Sequence, residues 1–266
     1  MSPASRQTWR PDREDVKRSI IEVGLSMLAA EGVAMGADRL SLERAAAGAK
    51  VSRAAAYKLW KGLDLRPQEA FQLDVLCHAA ETLAAGEDIE LERTMHAVAD
   101  VLASVGPIEQ LDDDRRREAF VRLVRTGAEE NIRLLRASRH WNVYLAILAG
   151  TASRTRGGAA DDSDPLTAAM RRGARRATLR YRPMYHEMAS LFGQRLRAGY
   201  TLAQFATAAG CLAEGIAVRM PFSDEIEGVE GPYGLPGPWH LFAVALLALT
   251  REFFEPDPDV PWAHPL

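Results

Sequence analysis

The segment at 41–60, Ser-Leu-Glu-Arg-Ala-Ala-Ala-Gly-Ala-Lys-Val-Ser-Arg-Ala-Ala-Ala-Tyr-Lys-Leu-Trp, leaves few ways for the chain to fold around it. It predicts two short helices joined by a tight turn. Ser41 is placed to cap the first by accepting a bond from an orphan backbone N–H, and the run Ala45, Ala46, Ala47 favours helix. Ala46 and Ala49 leave room for a second helix to cross closely. Val51 fills the corner, and Ser52 can cap a second helix running to about Trp60. Helix, tight turn and helix with small residues at the crossing is how a helix-turn-helix offers its second helix to a DNA major groove.

These residues resemble the tetracycline-repressor family of one-component regulators. That family's pattern runs Thr, an apolar–Ala pair, Ala-Gly-Val-Ser, and then Tyr-x-x-Phe. Here it stands as Ser41, Ala45-Ala46, Ala49-Lys50-Val51-Ser52, and Tyr57 followed by Trp60. The upstream segment 19–32, closing on Gly32, also resembles the family's first helix, and a weaker echo lies near 195–219. Two positions depart from the pattern. The family's turn glycine is Lys50, and a left-handed conformation at a residue with a Cβ costs roughly 1 kcal/mol or more. The lysine that opens the family's fourth helix is replaced by Leu63, which leaves Lys61 and Arg66 as the nearest cations for its phosphate contact.

Charge is distributed unevenly. The chain of 266 residues carries a net charge of −3, yet residues 1–66 hold twelve Lys/Arg against eight Asp/Glu, a net of +4, and the remainder carries −7. A basic end on an acidic body fits one domain that meets phosphates and another that faces solvent or a ligand. Cys77 and Cys211 lack metal-ligand or CxxC spacing and read as free buried thiols in a reducing compartment. The polar opening stretch has no apolar core for a signal peptide. The longest apolar run, 241–249, is about half of what a membrane span needs. The expected location is the cytoplasm.

Helical periodicity organises the rest. Residues 1–11 read as a disordered N-terminal arm. Ile20, Val23, Met27 and Leu28 recur at helical spacing after it. Pro67 suits the first turn of a fourth helix with Phe71, Val75, Leu76, Ala79 and Leu83 on its apolar face. A break at 86–88 precedes helices predicted over 89–105, 113–136 and 139–153. Pro165 opens a further helix bearing Arg171, Arg172, Arg175, Arg176 and Arg180, which Pro183 is expected to kink or interrupt. Helices at 201–219 and 239–254 flank a Gly- and Pro-rich loop over 221–238.

No strand-like alternation is present, so the expected fold is all-α. Its parts are a three-helix helix-turn-helix domain at 12–66, a connecting helix at 67–86 and a helical ligand-binding and dimerisation domain at 87–266. Ala206, Ala209, Gly210, Ala213 and Ala217 permit close helix approach, and the last two helices resemble the family's dimer-forming pair. A homodimer would bind two half-sites related by two-fold symmetry, hence a roughly palindromic operator in double-stranded DNA.

If the second helix enters the groove, Arg53, Ala54, Ala55 and Lys58 face bases. Arg53 can donate two bonds to guanine O6 and N7, and the alanines offer methyl surface. Ser41, Tyr57 and Lys61 suit phosphates, with Ser52 beside them as the cap. Each also has a plainer reading as a cap, a packing residue or a solvated cation. Trp60 reads as core.

If the resemblance extends to the second domain, that domain holds a pocket for a small-molecule effector. Trp141, Tyr144, Met184, Tyr185, His186 and Phe192 combine aromatic or methionine surface with polar groups and are its candidate lining. The arginines at 171–180 read as a solvated face or a seat for an acidic ligand.

Enzyme patterns fail on spacing. His186-Glu187 begins like HExxH, but Ser190 stands where the second ligand belongs. There is no GxSxG, P-loop or GxGxxG, and no cofactor or metal is expected. Asp112, Asp113, Asp114, Asp161 and Asp162 suit loops or helix starts. The sequence thus points to a non-enzymatic, ligand-responsive transcriptional regulator, with repression implied by the resemblance. The alternative is a helical small-molecule-binding protein or enzyme with a degenerate helix-turn-helix.

Overall fold

The computed structural model describes residues 12–31, 40–62, 64–86, 91–154, 164–229, 231 and 237–265. The expectations for the 1–11 arm, Gly32, Leu63, Asp161 and Asp162 lie outside these residues. Among the described residues the fold is all-α, with ten helices and one short pair of strands. The chain divides into two compact units. One comprises Met1–Ala84 and Arg139–Gly173, the other Ala85–Ser138 and Ala174–Leu266.

The first unit is built on α1 (Arg13–Glu31), α2 (Leu42–Gly48), α3 (Arg53–Leu59) and α4 (Pro67–Ala84). Ile20 and Leu28 of α1 meet Leu42, Ala45 and Ala46 of α2, Ala56 of α3, and Phe71 and Val75 of α4 in one core. Gly24 makes this possible, because a Cβ there would lie 2.7 Å from Val75 Cγ2. The unit is completed from later in the chain. In α7 (Trp141–Arg154), Val143, Tyr144 and Ile147 form a stripe that joins the same core, as do Leu166 and Ala169 of α8 (Pro165–Leu191). At Gly173 the α8 backbone comes so close to α4 that a Cβ would stand 2.7 Å from the Glu81 carbonyl oxygen. A continuous C-terminal domain over 87–266 is therefore not how the chain divides. Residues 139–173 return to the first unit because their apolar stripe buries there.

The second unit holds α5 (Leu91–Val105), α6 (Asp113–Ala137), the remainder of α8, α9 (Leu202–Arg219) and α10 (Leu241–Phe253). Asp112 caps α6 by accepting from Arg115 N at 2.8 Å, so the triple aspartate serves as a helix start. Thr201 and Gln204 form a reciprocal capping box on α9. Where no strand was expected, β1 (Gln194–Leu196) and β2 (Phe254–Pro256) pair antiparallel.

α8 runs through Pro183 as continuous helix. Pro183 is exposed, as is Leu179, whose carbonyl loses its partner to the proline ring. Solvent on that side limits the penalty. No helix among the described residues is long and apolar enough to cross a membrane.

Candidate nucleic-acid interface

The geometry at 41–60 follows from its caps. Ser41 Oγ accepts from Arg44 N and Ser52 Oγ from Ala55 N, each at 3.3 Å, which starts α2 and α3. Between them Val51 N donates to Ala46 O at 2.8 Å and Lys50 N to Ala47 O at 3.0 Å. These two bonds are those of a Schellman motif, which places the residue after the helix in the left-handed region. That residue is Lys50, with φ 58°, alone among described non-glycine residues at positive φ. With a lysine at this position the turn is formed and strained.

α3 is held along its inner side. Ala56 and Trp60, one turn apart, are fully buried. The Trp60 indole N–H donates to Asp74 Oδ2 at 2.8 Å, its ring meets Phe71 edge-on, and Lys17 bridges to the same Asp74 oxygen at 2.7 Å. Arg13 of α1 donates to the Leu59 carbonyl at 3.3 Å. The start of α2 is tied to α4 by Gln68, whose side chain accepts from Leu42 N and donates to Leu40 O.

With that side packed, the opposite side of α3 faces solvent. Arg53, Ala54, Ala55 and Lys58 are exposed, as are Ser52 and Lys61, while Ser41 and Tyr57 are half-buried. The eight candidates therefore share one short hairpin. Sequence reasoning missed Glu43, which sits on α2 against that surface. Its Oε1 is 2.8 Å from Arg53 Nη2 and accepts from the Tyr57 hydroxyl at 3.3 Å. The Arg53 guanidinium also stands 5.5 Å from the centre of the Tyr57 ring. The signal was an acid in the first turn of α2, but a sequence does not show which residue across a turn it will meet.

The candidate effector-lining residues fall in both units. Trp141 and Tyr144 belong to the first, with ring centres 5.4 Å apart and Tyr144 in the core. Met184, Tyr185, His186 and Phe192 belong to the second. There Phe192 is fully buried edge-on to Phe120, and His186 is exposed. Tyr185 packs edge-on to Phe205 at 4.8 Å, and burial raises its phenol well above the ordinary range, with Tyr181 adding to the effect. The six do not form one lining within either unit.

In the arginine-rich helix, Arg172 pairs with Glu81 at 3.1 Å in the first unit, and Arg180 donates to the Gly86 carbonyl in the second. Burial, with Asp74 beside it, pushes the Cys77 thiol up to about 11, which keeps it protonated at neutral pH.

The small residues of α9 divide. Ala209, Ala213 and Ala217 are buried within the second unit, whereas Gly210, Cys211, Gly215 and Val218 are exposed, so Cys211 is not the buried thiol expected and Cys77 is only half-buried. Phe222 just beyond them is 85% exposed, and Leu241 and Ala248 of α10 are exposed as well. No family model, curated protein or solved structure matches the chain.

Proposed function

We propose that the chain is a ligand-responsive DNA-binding transcriptional regulator that acts as a homodimer on a palindromic operator and represses until a small-molecule effector releases it. The observation that carries this reading is the hairpin at 41–60. A seven-residue helix with its inner side locked into the core leaves Arg53 and Lys58 exposed, with Ala54 and Ala55 offering little bulk between them and Lys61 exposed just beyond its end. Small side chains beside cations suit a helix that must approach base edges closely. The exposed apolar stripe Cys211, Gly215, Val218 and Phe222 supports a second copy as the occupant of that face, because exposed apolar surface at helical spacing is costly in water. A two-fold dimer presents two α3 helices, which is the origin of the palindrome.

The test is selection from random double-stranded DNA by the purified protein, with enriched sequences retested across a salt series. The expected result is a palindrome whose affinity falls steeply with salt, since cations on phosphates release counterions. Arg53→Ala is expected to reduce discrimination at one base pair in each half-site by about 1–3 kcal/mol. A folded dimer that enriches no sequence would overturn the reading.

A further inference from the structure

We infer that Glu43 is the specificity-setting residue of this surface, holding Arg53 in readiness for a base and discouraging its use on a phosphate. The inference rests on the DNA-binding reading above. Three contacts converge on the Arg53 side chain and its neighbour: the ion pair to Glu43 Oε1 at 2.8 Å, the Tyr57 hydroxyl on that same oxygen at 3.3 Å, and the Tyr57 ring 5.5 Å from the guanidinium. The pair is open to solvent, with the Arg53 side chain 71% exposed and that of Glu43 47% exposed. An exposed pair of this kind adds little to folding stability. Its consequence lies in what it does to the arginine.

A guanidinium carries five N–H donors in a rigid planar fork. Glu43 engages one edge through Nη2, and donors remain for the two acceptors N7 and O6 of a guanine. Fixing the fork beforehand removes rotamer freedom that would otherwise be lost on binding, which favours the contact with the strictest geometry. A phosphate is treated differently. It carries a full negative charge where a guanine is neutral, and a carboxylate at 2.8 Å offsets the arginine's charge and repels the incoming anion. Glu43 therefore weakens sequence-blind binding through Arg53 while leaving base reading in place. Glu43 is a positioning residue in this scheme, since Arg53 makes the contact with DNA.

The experiment compares the wild type, Glu43→Gln, Arg53→Ala and the double variant on the selected operator, on single-base variants of it, and on a random duplex of equal length, across a salt series. Glu43→Gln is expected to bind the random duplex about threefold to tenfold more tightly, with a salt slope steeper by about one counterion per protomer. It is also expected to lose roughly tenfold in discrimination at the base pair that Arg53 reads. In the Arg53→Ala background, Glu43→Gln should change no base preference and should tighten random-duplex binding less than it does in the wild type, whereas a general charge effect would tighten it equally in both backgrounds. Unaltered discrimination in Glu43→Gln, from a wild type that does discriminate, overturns the role of Glu43 and leaves the DNA reading standing. The same loss of base preference with Arg53 already removed also overturns it. A wild type that selects no sequence removes the DNA reading and this inference together.

Discussion

Two arginines in the two units meet carboxylates with similar geometry and opposite surroundings. Arg53 lies 2.8 Å from Glu43 on an open helical surface, beside a turn strained at Lys50. Arg116, in α6 of the second unit, lies 2.9 Å from Asp113 but is only 4% exposed. Its remaining donors reach the carbonyls of Ile108, Leu111 and Trp262, and its guanidinium lies 4.9 Å from the Trp262 ring. The contrast separates two uses of one functional group. Where three donors are committed to backbone carbonyls and a fourth to a carboxylate, the arginine fixes the path of the chain, here by fastening 262 to the start of α6. Where one edge is held and the others meet water, the arginine is available to a ligand.

The largest expected effect tests the buried side of this comparison. Arg116→Met removes the donors from three carbonyls and from Asp113, and each buried acceptor left unpaired carries a desolvation penalty. The expected loss is about 3–5 kcal/mol of unfolding free energy, read from denaturant unfolding. Arg53→Ala in the same assay should move stability by no more than about 0.5 kcal/mol, because an exposed pair is screened and its partners are rehydrated. Equal losses in the two variants would erase the distinction between them.

Trp60 is intermediate, a buried ring with one polar bond to a half-buried acid. Trp60→Phe keeps most of the ring but deletes the indole N–H to Asp74, leaving that carboxylate to Lys17. A hydrogen bond to a charged group contributes about 1.5–3 kcal/mol, so the expected loss is about 2 kcal/mol. Since Trp60 closes α3, the proposed DNA affinity should fall with it; a urea titration followed by circular dichroism reads the stability and operator binding reads the affinity. A loss below about 0.5 kcal/mol would mean that Lys17 alone satisfies Asp74.

What the sequence made legible was local. Ser41 and Ser52 act as the caps expected, and Asp112 starts a helix, because a hydroxyl or carboxylate bonds a backbone N–H three residues onward, within reach of pattern reading; Thr201 caps α9 in the same way, a cap that sequence reasoning missed. The alanines of α2 and the burial of Trp60 were legible for the same reason, since crossing helices need small residues and a large ring needs a core. The return of 139–173 to the first unit was not. Val143, Tyr144 and Ile147 form an apolar stripe that would suit either unit, and only packing chooses between them. The Arg116 clasp was hidden more deeply, because its acceptors are mostly carbonyls, which every residue carries. Glu43 shares that difficulty: ten residues separate it from Arg53, and the turn alone brings them together.

The smallest expected effect concerns the turn itself. Lys50 occupies the left-handed position of a Schellman motif with φ 58°, where a Cβ crowds the neighbouring carbonyl oxygen. Relieving that contact with glycine is favourable by about 1–2 kcal/mol. The glycine also widens the unfolded ensemble, which opposes the gain by about 0.4–1 kcal/mol. Lys50→Gly should therefore stabilise the protein by roughly 0.5–1 kcal/mol, seen as a higher urea midpoint with an unchanged slope. The sign is the informative part. A gain means that the open region carries strain the buried clasp lacks, while a loss means that the lysine side chain makes a compensating contact in the folded hairpin. Combining Lys50→Gly with Arg53→Ala then asks whether the turn and the Arg53 surface are energetically independent. Residues of one short hairpin that share no partner should give additive changes to within about 0.5 kcal/mol, and a larger deviation would show that strain at Lys50 is coupled to the set of Arg53.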